Sequence, residues 1–339
     1  MPGPRVMVVG VSHWHAPLYL DALARRSGRL EVVAVTDDNL GTAQSAARRV
    51  GAARAFTDPG AVDTEVDLAI ILGRHDRMAA AAATLIDRGI PLALEKPGAL
   101  NLGELKAVRD RAIRSRVPAA VALVHRRAQF ADVLASVARP SYLSASYLVG
   151  APDRYTDAGC EWMLDPSAGG GVLANLGPHF VDLVTWLAGE PIATVRASGH
   201  RRLHGLAIED HVVLLLETVG GLAATIELGY VVPGHGRHVS LTIAGGGGFA
   251  SVSSDGRVQR IGSDGTVEPS SVIDVASDHL FDDFVDQLLT TLPEGFAGLP
   301  GLDDLVAAMS VIDAAYQDID QPALSAVGTG GEMAITWAR

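Results

Sequence analysis

Short apolar runs that alternate with helical patterns constrain the fold of this chain more than any other feature. The runs Arg5 to Gly10 and Glu31 to Asp37 are typical of parallel strands buried on both faces. Between them lies a helical pattern that extends to about Arg26. The alternation continues with strands near 54–56, 66–72, 91–95 and 119–123, and with helices near 39–50, 76–89 and 101–115. This order predicts an α/β domain, a doubly wound parallel sheet, over residues 1–124.

The pattern changes in residues 125–339. A helix near 127–138 and a strand near 142–149 precede a polar loop around Asp153, and another helix ends near Ala188. Strand patterns then follow one another through glycine-rich turns, near 192–199, 208–217, 221–230, 238–244 and 249–253. Two helices, near 278–291 and 302–318, complete the pattern. Consecutive strands of this kind predict a second, α+β domain with one open, mainly antiparallel sheet.

Composition limits the class of protein. A chain of 339 residues is long enough for two domains. The net charge of -12 argues against nucleic-acid binding and against an anionic membrane surface, since both favour a basic face. The single cysteine, Cys160, excludes an intrachain disulfide and a cysteine-based metal site. No signal-peptide pattern and no membrane-spanning apolar run is present, so we expect a cytoplasmic protein without nucleic-acid or membrane partners.

The turn after the first strand has part of a dinucleotide-binding pattern. That pattern is G-x-G-x-x-G with an acid about 20 residues further on, and the corresponding residues here are Gly10, Ser12, His15 and Asp37. Only the first glycine is present, so an ordinary turn with Ser12 as a helix cap would also explain it. A carboxylate at Asp37 would accept hydrogen bonds from a ribose diol and repel a 2′-phosphate. This favours NAD over NADP.

Two further stretches point to chemistry. Glu95-Lys96-Pro97 ends the fifth strand, where ligands of open α/β sheets bind, and the proline can hold a fixed turn that aims Lys96. In Gly169–Asp182, three glycines precede Asn175 and His179, which are four residues apart and so share one helix face. Pro178 should kink or restart that helix. A surface lysine and a satisfied helix histidine are the simpler alternatives.

Together these motifs resemble the glucose–fructose oxidoreductase, inositol dehydrogenase and MocA (Gfo/Idh/MocA) family. The similarity rests on the ordered set Glu95–Pro97, Val124–Arg127, Trp162 with Asp165, Gly169–Asp182, Ile208–Val213 and Leu302–Tyr316, and it covers nearly the whole chain. The resemblance implies a Rossmann domain and a sheet domain whose open face often forms a homodimer or homotetramer. It also implies NAD(P)-dependent oxidation of a secondary hydroxyl on a sugar, inositol or related polyol, without a metal.

The resemblance assigns roles to individual residues. Lysine and histidine at the positions of Lys96 and His179, and an Asp at the position of Asn175, surround the reacting carbon in the family. His179, with an ordinary pKa near 6.5, would be the acid/base group, and Lys96 would hold the hydroxyl oxygen. Asn175 cannot accept a proton and can only orient its neighbours.

The expected binding residues form two sets. Expected cofactor contacts are Gly10, Ser12, His13, Trp14, His15, Asp37, Gly73, Arg74, His75, Glu95 and Lys96. Expected substrate contacts are Lys96, Arg126, Arg154, Tyr155, Trp162, Asn175 and His179, with Asp153, His235 and His238 as further candidates.

Departures from the family pattern keep other functions open. The glycine loop has lost two glycines, Met78 replaces an expected histidine, and His125 replaces the usual Asn. A non-catalytic ligand- or cofactor-sensing protein of the same fold is one alternative. An enzyme of another class, a lyase or hydrolase with tightly bound NAD, is the other. We do not expect His13, His15 and His75 to hold a metal, because two of them lie on the expected pyrophosphate loop.

Overall fold

The first sheet has six strands, all parallel. The computed structural model describes residues 3–52 and 54–320. Its first strands and helices are β1 (Arg5–Val9), α1 (Ala16–Arg25), β2 (Glu31–Thr36), α2 (Leu40–Val50), β3 (Ala55–Phe56), β4 (Leu68–Ile71), α3 (His75–Asp87), β5 (Leu92–Leu94), α4 (Leu102–Ser115) and β6 (Ala119–Val121). The strand order is β3-β2-β1-β4-β5-β6, and every neighbouring pair is parallel. The predicted doubly wound sheet is confirmed.

The strand order places three loops at one edge of this sheet. Strands β1 and β4 are neighbours, and the chain proceeds from them in opposite directions across the sheet. Ligands of open α/β sheets bind at such a switch point, outside the carboxyl ends of the strands. The loops after β1, β4 and β5 all begin there, which brings Gly10, Gly73 and Lys96 to the same crevice.

The second sheet has eight strands and is mixed. It is formed within the elements α5 (Gln129–Ala135), β7 (Pro140–Gly150), α6 (Asp153–Asp157), α7 (Val172–Ala188), β8 (Ile192–His200), β9 (His211–Thr218), β10 (Ala223–Val232), β11 (Arg237–Gly245), β12 (Gly248–Ser253), β13 (Arg257–Gly262), β14 (Ser271–Val272), α8 (His279–Thr291) and α9 (Leu302–Asp320). The order is β14-β13-β12-β11-β7-β10-β9-β8, with only β7 and β10 parallel. A mainly antiparallel sheet is confirmed.

Three local predictions for this part were wrong. The polar segment at Asp153 forms the short helix α6, and strands β13 and β14 were not predicted because their exposed side chains interrupt the apolar pattern. Helix α7 is continuous through Pro178, so the predicted restart was wrong, and the alternative of a kink stays a prediction. Most of α7 is buried, and the packing of a buried apolar helix outweighs the loss of one backbone hydrogen bond.

The last two helices pack back against the first sheet's helices. Arg26, which follows α1, binds Asp282 and Asp286 of α8, and α9 packs against α4 and α7. The boundary predicted at residue 124 stays a prediction, with β6 ending at Val121 and β7 beginning at Pro140. Among the described residues, no helix combines the length and the apolar character needed to cross a membrane.

Candidate active site

A groove runs along the carboxyl ends of β1, β2 and β4. Its volume is about 830 Å³, within the range of small-molecule sites. The predicted cofactor contacts that line it are Gly10, Ser12, Asp37, Gly73 and Arg74, together with Trp162 from the second part of the chain. The remaining predicted cofactor contacts do not line this groove.

The loop at the head of the groove requires its one glycine. Gly10 has a φ of +74°, and a Cβ there would lie 2.3 Å from the Cα of Gly73. Ser12 replaces the second glycine and binds Asp37 twice, through its N–H to Oδ2 at 2.7 Å and through its hydroxyl to Oδ1 at 2.8 Å. Asn39 N–H also donates to Oδ1 at 3.0 Å. A carboxylate oxygen can accept two hydrogen bonds. Because Oδ2 of Asp37 accepts only one from the described residues, it can accept another from a ribose hydroxyl.

The charges of the groove fit an unphosphorylated ribose. Asp37, Asp38 and Asp58 all line it. The two arginines in its lining are held by acids, Arg74 by Asp76 at 3.0 Å and Arg77 beside Asp38 at 3.6 Å. The N–H groups at the start of helix α1 are already bonded within the loop, that of His15 to His13 Nδ1 at 3.1 Å and that of Ala16 to the His13 oxygen at 2.9 Å. These residues fit NAD better than NADP.

A smaller pocket of about 280 Å³ lies beside the groove and contains all three predicted catalytic residues. Its lining includes Trp14, His15, Lys96, His125, Arg154, Tyr155, Asn175, His179, His235, Arg237, Asp278 and Phe281. Residues from the first sheet's loops and from the second sheet therefore meet in one cavity. Trp14 and His15, which we expected to contact the cofactor, line this pocket instead.

Lys96 is fully buried at the floor of the pocket. Its Nζ donates to the backbone oxygen of Asn175 at 2.8 Å and to Asn175 Oδ1 at 2.7 Å. Burial lowers the pKa of Lys96 to about 8, although the neighbouring Glu95 opposes this shift. The Lys96–Pro97 peptide is cis. The lysine is therefore a donor that can change its charge near neutral pH.

Glu95 fixes the turn that carries Lys96. Its Oε1 accepts from the Tyr19 hydroxyl at 3.0 Å and lies 3.1 Å from His15 Nδ1, and its Oε2 accepts from Lys96 N–H at 3.0 Å. Glu95 was expected to contact the cofactor, but it is buried and lines neither cavity. Its hydrogen bonds position the turn that carries Lys96. His13, His15 and Glu95 each offer one possible ligand atom, and these atoms lie within 4.8 Å of one another, a spacing that metal ligands could have.

Asn175 connects Lys96 to two tyrosines. Its side-chain Nδ2 donates to the Tyr155 hydroxyl at 2.7 Å and to the Tyr230 hydroxyl at 3.3 Å, while its Oδ1 accepts from Lys96. The amide is therefore fixed at both ends. This arrangement fits the orienting role expected from the sequence.

His179 lies one helical turn after Asn175 and stacks on His125, with ring centroids 4.4 Å apart. Burial, then the neighbouring His125 and Lys96, lower the pKa of His179 well below its usual 6.5. Burial likewise lowers the pKa of His125 to about 3. The expectation that His179 titrates near working pH was therefore wrong. The ring is neutral at pH 7, and its buried Nδ1 has no hydrogen-bond partner among the described residues.

The three glycines before α7 pack against the protein itself. Gly171 has a φ of +131°, and a Cβ there would lie 2.6 Å from Glu209 Oε1. That carboxylate accepts from Leu173 N–H at 2.8 Å and so satisfies a free donor at the start of α7. The glycine run thus sets the helix that carries Asn175 and His179.

Two predicted substrate contacts lie outside the pocket. The 3₁₀ turn Val124–Arg127 presents His125 to the pocket and directs Arg126 away from it. Arg126 binds Asp182 at 2.5 and 2.8 Å and Asp304 at 2.6 Å. Trp162 lines the groove instead, because its Nε1 donates to the Ser12 oxygen at 3.1 Å. Asp153 and His238 also lie outside the pocket lining.

A row of rings connects the lining of the groove with the lining of the pocket. His13 contacts Trp162, which lines the groove, and His15, which lines the pocket, at centroid distances of 6.0 and 5.2 Å. His75 is buried against the other edge of Trp162 at 4.8 Å, and its Nδ1 bonds the Gly169 oxygen at 2.8 Å. His13 and His75, both expected to contact cofactor, line neither cavity.

Sequence reasoning missed several pocket residues, including three with charged or aromatic side chains from late in the chain. Arg237 begins β11, and Asp278 and Phe281 lie at the start of α8. Each is more than 50 residues in sequence from the nearest predicted catalytic residue, and no local motif marks it. The packing of α8 against α1 and against the turn Val124–Arg127 brings that helix to the pocket.

A Rossmann-type groove beside a pocket with a buried lysine and histidine defines a dinucleotide-dependent oxidoreductase class. Residues 4–123 match the family model described as "Oxidoreductase family, NAD-binding Rossmann fold", and residues 137–251 match the "GFO/IDH/MocA C-terminal domain". The chain belongs to the Gfo/Idh/MocA family. The predictions of this family, of the oxidoreductase class and of NAD as the cofactor are confirmed.

Individual relatives agree with this assignment. The chain is 28% identical over 228 residues to "Inositol 2-dehydrogenase 2" of Saccharopolyspora erythraea, and this match spans 63% of the length of each protein, less than two thirds. The structure described as "Levoglucosan dehydrogenase, complex with NADH and levoglucosan" has a TM-score of 0.81 at 17% identity, covering 94% of this chain and 97% of that one. GenD2 from gentamicin A biosynthesis, in complex with NAD, has a TM-score of 0.77 at 22% identity, covering 94% and 95%. At these identities the two structures show the fold.

Proposed function

We propose that this protein is an NAD-dependent dehydrogenase that oxidises a secondary hydroxyl of a sugar, inositol or related polyol. The observation that carries the proposal is the meeting of Lys96, Asn175 and His179 in one pocket that adjoins the dinucleotide groove. The names of the relatives, an inositol dehydrogenase and a levoglucosan dehydrogenase, support a polyhydroxylated substrate. The pocket volume of about 280 Å³ fits a molecule of monosaccharide size.

The residues of the pocket have distinct tasks in this reaction. NAD held in the groove by residues such as Gly10 and Asp37 would supply the acceptor for the hydride that leaves the carbinol carbon. Lys96 uses two of its donors on Asn175 and has a third for the substrate hydroxyl oxygen, whose developing negative charge it stabilises. Neutral His179 accepts the hydroxyl proton, so the carbinol becomes a carbonyl. Asn175 holds Lys96 in place throughout.

The low pKa of His179 has a cost and an advantage. A histidine that is neutral at pH 7 is always ready to accept a proton, but it is a weaker base than an ordinary imidazole. The positive charge of Lys96 compensates, because it lowers the pKa of the hydroxyl that the histidine must deprotonate. The pair therefore works together, and neither residue suffices alone.

The experiment that tests this function has two steps. Binding of NAD(H) and NADP(H) is followed by intrinsic fluorescence, since Trp162 lines the groove and Trp14 lines the pocket. Turnover of a polyol panel is then followed by the absorbance of NADH. Absence of NAD binding at millimolar concentration would contradict the proposal. Binding without any turnover would favour a cofactor-sensing protein, and turnover without net NADH would favour another enzyme class with tightly bound NAD.

Variants assign the chemistry to the pocket. Lys96→Met and His179→Ala should each abolish turnover and leave NAD affinity nearly unchanged, because neither residue lines the groove. The matched controls are Lys106→Met and His238→Ala, two exposed residues that line neither cavity. Equal effects in the controls, or unfolding of the site variants, would remove this support.

We further infer that the chain forms a homodimer or homotetramer through the outer face of the second sheet. Leu215 on β9 and Tyr142 on β7 are 54% and 46% exposed on that face. Between them the face carries Thr225 and Ser144, which are small and weakly polar. An exposed sheet face with large apolar side chains is a common site of subunit contact.

A further inference from the structure

The substrate pocket has an excess of positive charge that its own residues do not balance. Lys96, Arg154 and Arg237 line it, and the only carboxylate in its lining is Asp278. The lining of the neighbouring groove has the opposite balance of charge, with five acidic residues and two arginines. The chain as a whole has a net charge of -12, so a cationic cavity beside an acidic one is a local feature that favours a negatively charged ligand in the pocket.

Aromatic side chains orient the Arg154 guanidinium, and no acidic side chain of the described residues neutralises its charge. Its Nη2 donates to the Tyr155 hydroxyl at 3.1 Å, and its guanidinium lies 5.0 Å from the Tyr155 ring centroid and 5.6 Å from those of Trp14 and Tyr230. Its buried Nε has no hydrogen-bond partner, and no carboxylate lies within 4 Å in the described part of the chain. Aromatic contacts of this kind fix the plane of a guanidinium and leave its donors free.

Arg237 is also without an acid. Its guanidinium lies 5.7 Å from the Tyr147 ring centroid, and its one hydrogen bond, at 3.5 Å, goes to the Val275 oxygen. Arg74 and Arg126, the other arginines first expected at the site, each bind an aspartate. Within the described residues, the two pocket arginines thus lack the acid partner that holds Arg74 and Arg126.

The Arg154 guanidinium and the reacting end of the pocket are joined by a short polar chain. Lys96 donates to Asn175 at 2.7 Å, Asn175 donates to Tyr155 at 2.7 Å, and Arg154 donates to the same hydroxyl at 3.1 Å. Every group between the two cations is neutral. Asn175 stands where the resemblance led us to expect an acid, so among the described residues the pocket lining has no carboxylate beside Lys96, and buried Glu95 lies behind it outside the lining.

We propose that the substrate carries a carboxylate, bound by Arg154 and Arg237 while its hydroxyl is held at Lys96, so that the substrate class is a sugar acid. This inference rests on the dehydrogenase function proposed above. A planar guanidinium pairs with a carboxylate through two parallel hydrogen bonds, and because a phosphate is bound in the same way, the test below includes a sugar phosphate. The carboxylate of the substrate supplies the negative charge that the pocket lacks.

The test uses pairs of ligands that differ only in the carboxylate. D-glucuronate is compared with D-glucose, and D-gluconate with D-glucitol, first by quenching of Trp14 fluorescence with NAD present and then by kcat/KM. We expect the acid of each pair to be favoured by about 10- to 100-fold, the range of hydrogen bonds to charged groups. Arg154→Met and Arg237→Met should each reduce that ratio mainly through KM, and Arg154→Lys should restore part of it. Arg114→Met, at an exposed position of α4 outside both cavities, is the matched control.

The outcomes separate this inference from the proposed function. Equal binding and turnover of both members of a pair would overturn the inference and leave the dehydrogenase standing. Selective binding of the acids without turnover would uphold the carboxylate site and overturn the dehydrogenase. A stronger response to D-glucose 6-phosphate than to D-glucuronate would contradict the carboxylate. Loss of NAD affinity in Arg154→Met, with the ratio unchanged, would assign Arg154 to the cofactor and also overturn the inference.

Discussion

Asn175→Asp should move the titration of Lys96 upward by about 1 to 3 pH units. The Oδ1 atom that accepts from Lys96 lies 2.7 Å from Nζ, and the substitution converts it from a neutral amide oxygen to part of a carboxylate. An opposite charge at this distance raises a lysine pKa by about that amount, equivalent to about 1.4 to 4 kcal/mol. With a starting pKa of about 8, Lys96 should then titrate between about 9 and 11.

The direction of the effect on activity follows from the role of Lys96. A protonated lysine donates to the substrate oxygen, so kcat/KM should be level below pH 8 and fall as Lys96 loses its proton above it. In Asn175→Asp that fall should begin at higher pH. Binding of a sugar acid should weaken, because the new carboxylate repels it. Asn101→Asp, at an exposed helix cap, introduces the same charge outside the pocket and should change neither property.

The assay can observe the lysine directly. The chain contains only two lysines, Lys96 and the exposed Lys106, so NMR of lysine labelled with carbon-13 at Cε resolves both titrations. Lys106 provides the internal reference. An unshifted Lys96 resonance in Asn175→Asp, or a wild-type pKa near the ordinary lysine value of about 10.4, would refute the reasoning. A kcat/KM that rises through pH 8 would make Lys96 the base and not the donor.

Three further predictions concern the groove and the outer sheet. Gly10→Ala should lower the free energy of unfolding by at least about 1 to 3 kcal/mol in a denaturant titration, because the φ of this residue is positive and the new Cβ would strike Gly73. Gly28→Ala is the control and should be near neutral, since the space around Gly28 is open. Asp37→Asn should weaken NAD binding about 10- to 100-fold by calorimetry, and unchanged affinity would contradict its diol contact. Leu215→Glu should convert the oligomer to monomer in sedimentation velocity, and an unchanged sedimentation coefficient would reject that interface.

The sequence predicted the first sheet well because its signals are local. Each parallel strand is a short apolar run, and buried runs such as β4 contain no exposed position that would break the pattern. The same reasoning failed for β13, where exposed polar residues such as Arg257 and Gln259 alternate with few apolar ones. Strand ends also located Gly10, Asp37 and Lys96, since the edge of a parallel sheet is fixed by strand order.

The site was predicted only in part because much of it depends on tertiary packing. Helical spacing placed Asn175 and His179 on one face, and the pocket contains both. The direction of Arg126 depends on the 3₁₀ turn and on two distant aspartates, and neither is visible in the local sequence. The pKa of His179 depends on burial and on stacking with His125, which residue type alone does not give.

Label transfer tests the central claim most directly. Wild-type protein, NAD and a substrate deuterated at its carbinol carbons are mixed, and the reduced cofactor is analysed by mass spectrometry. A dehydrogenase with its reacting carbon held by Lys96 and His179 should give singly deuterated NADH in equal amount to the ketone, and Lys96→Met should give none. Ketone without deuterium in the cofactor, or bound NAD that is never reduced by any member of the panel, would contradict the account.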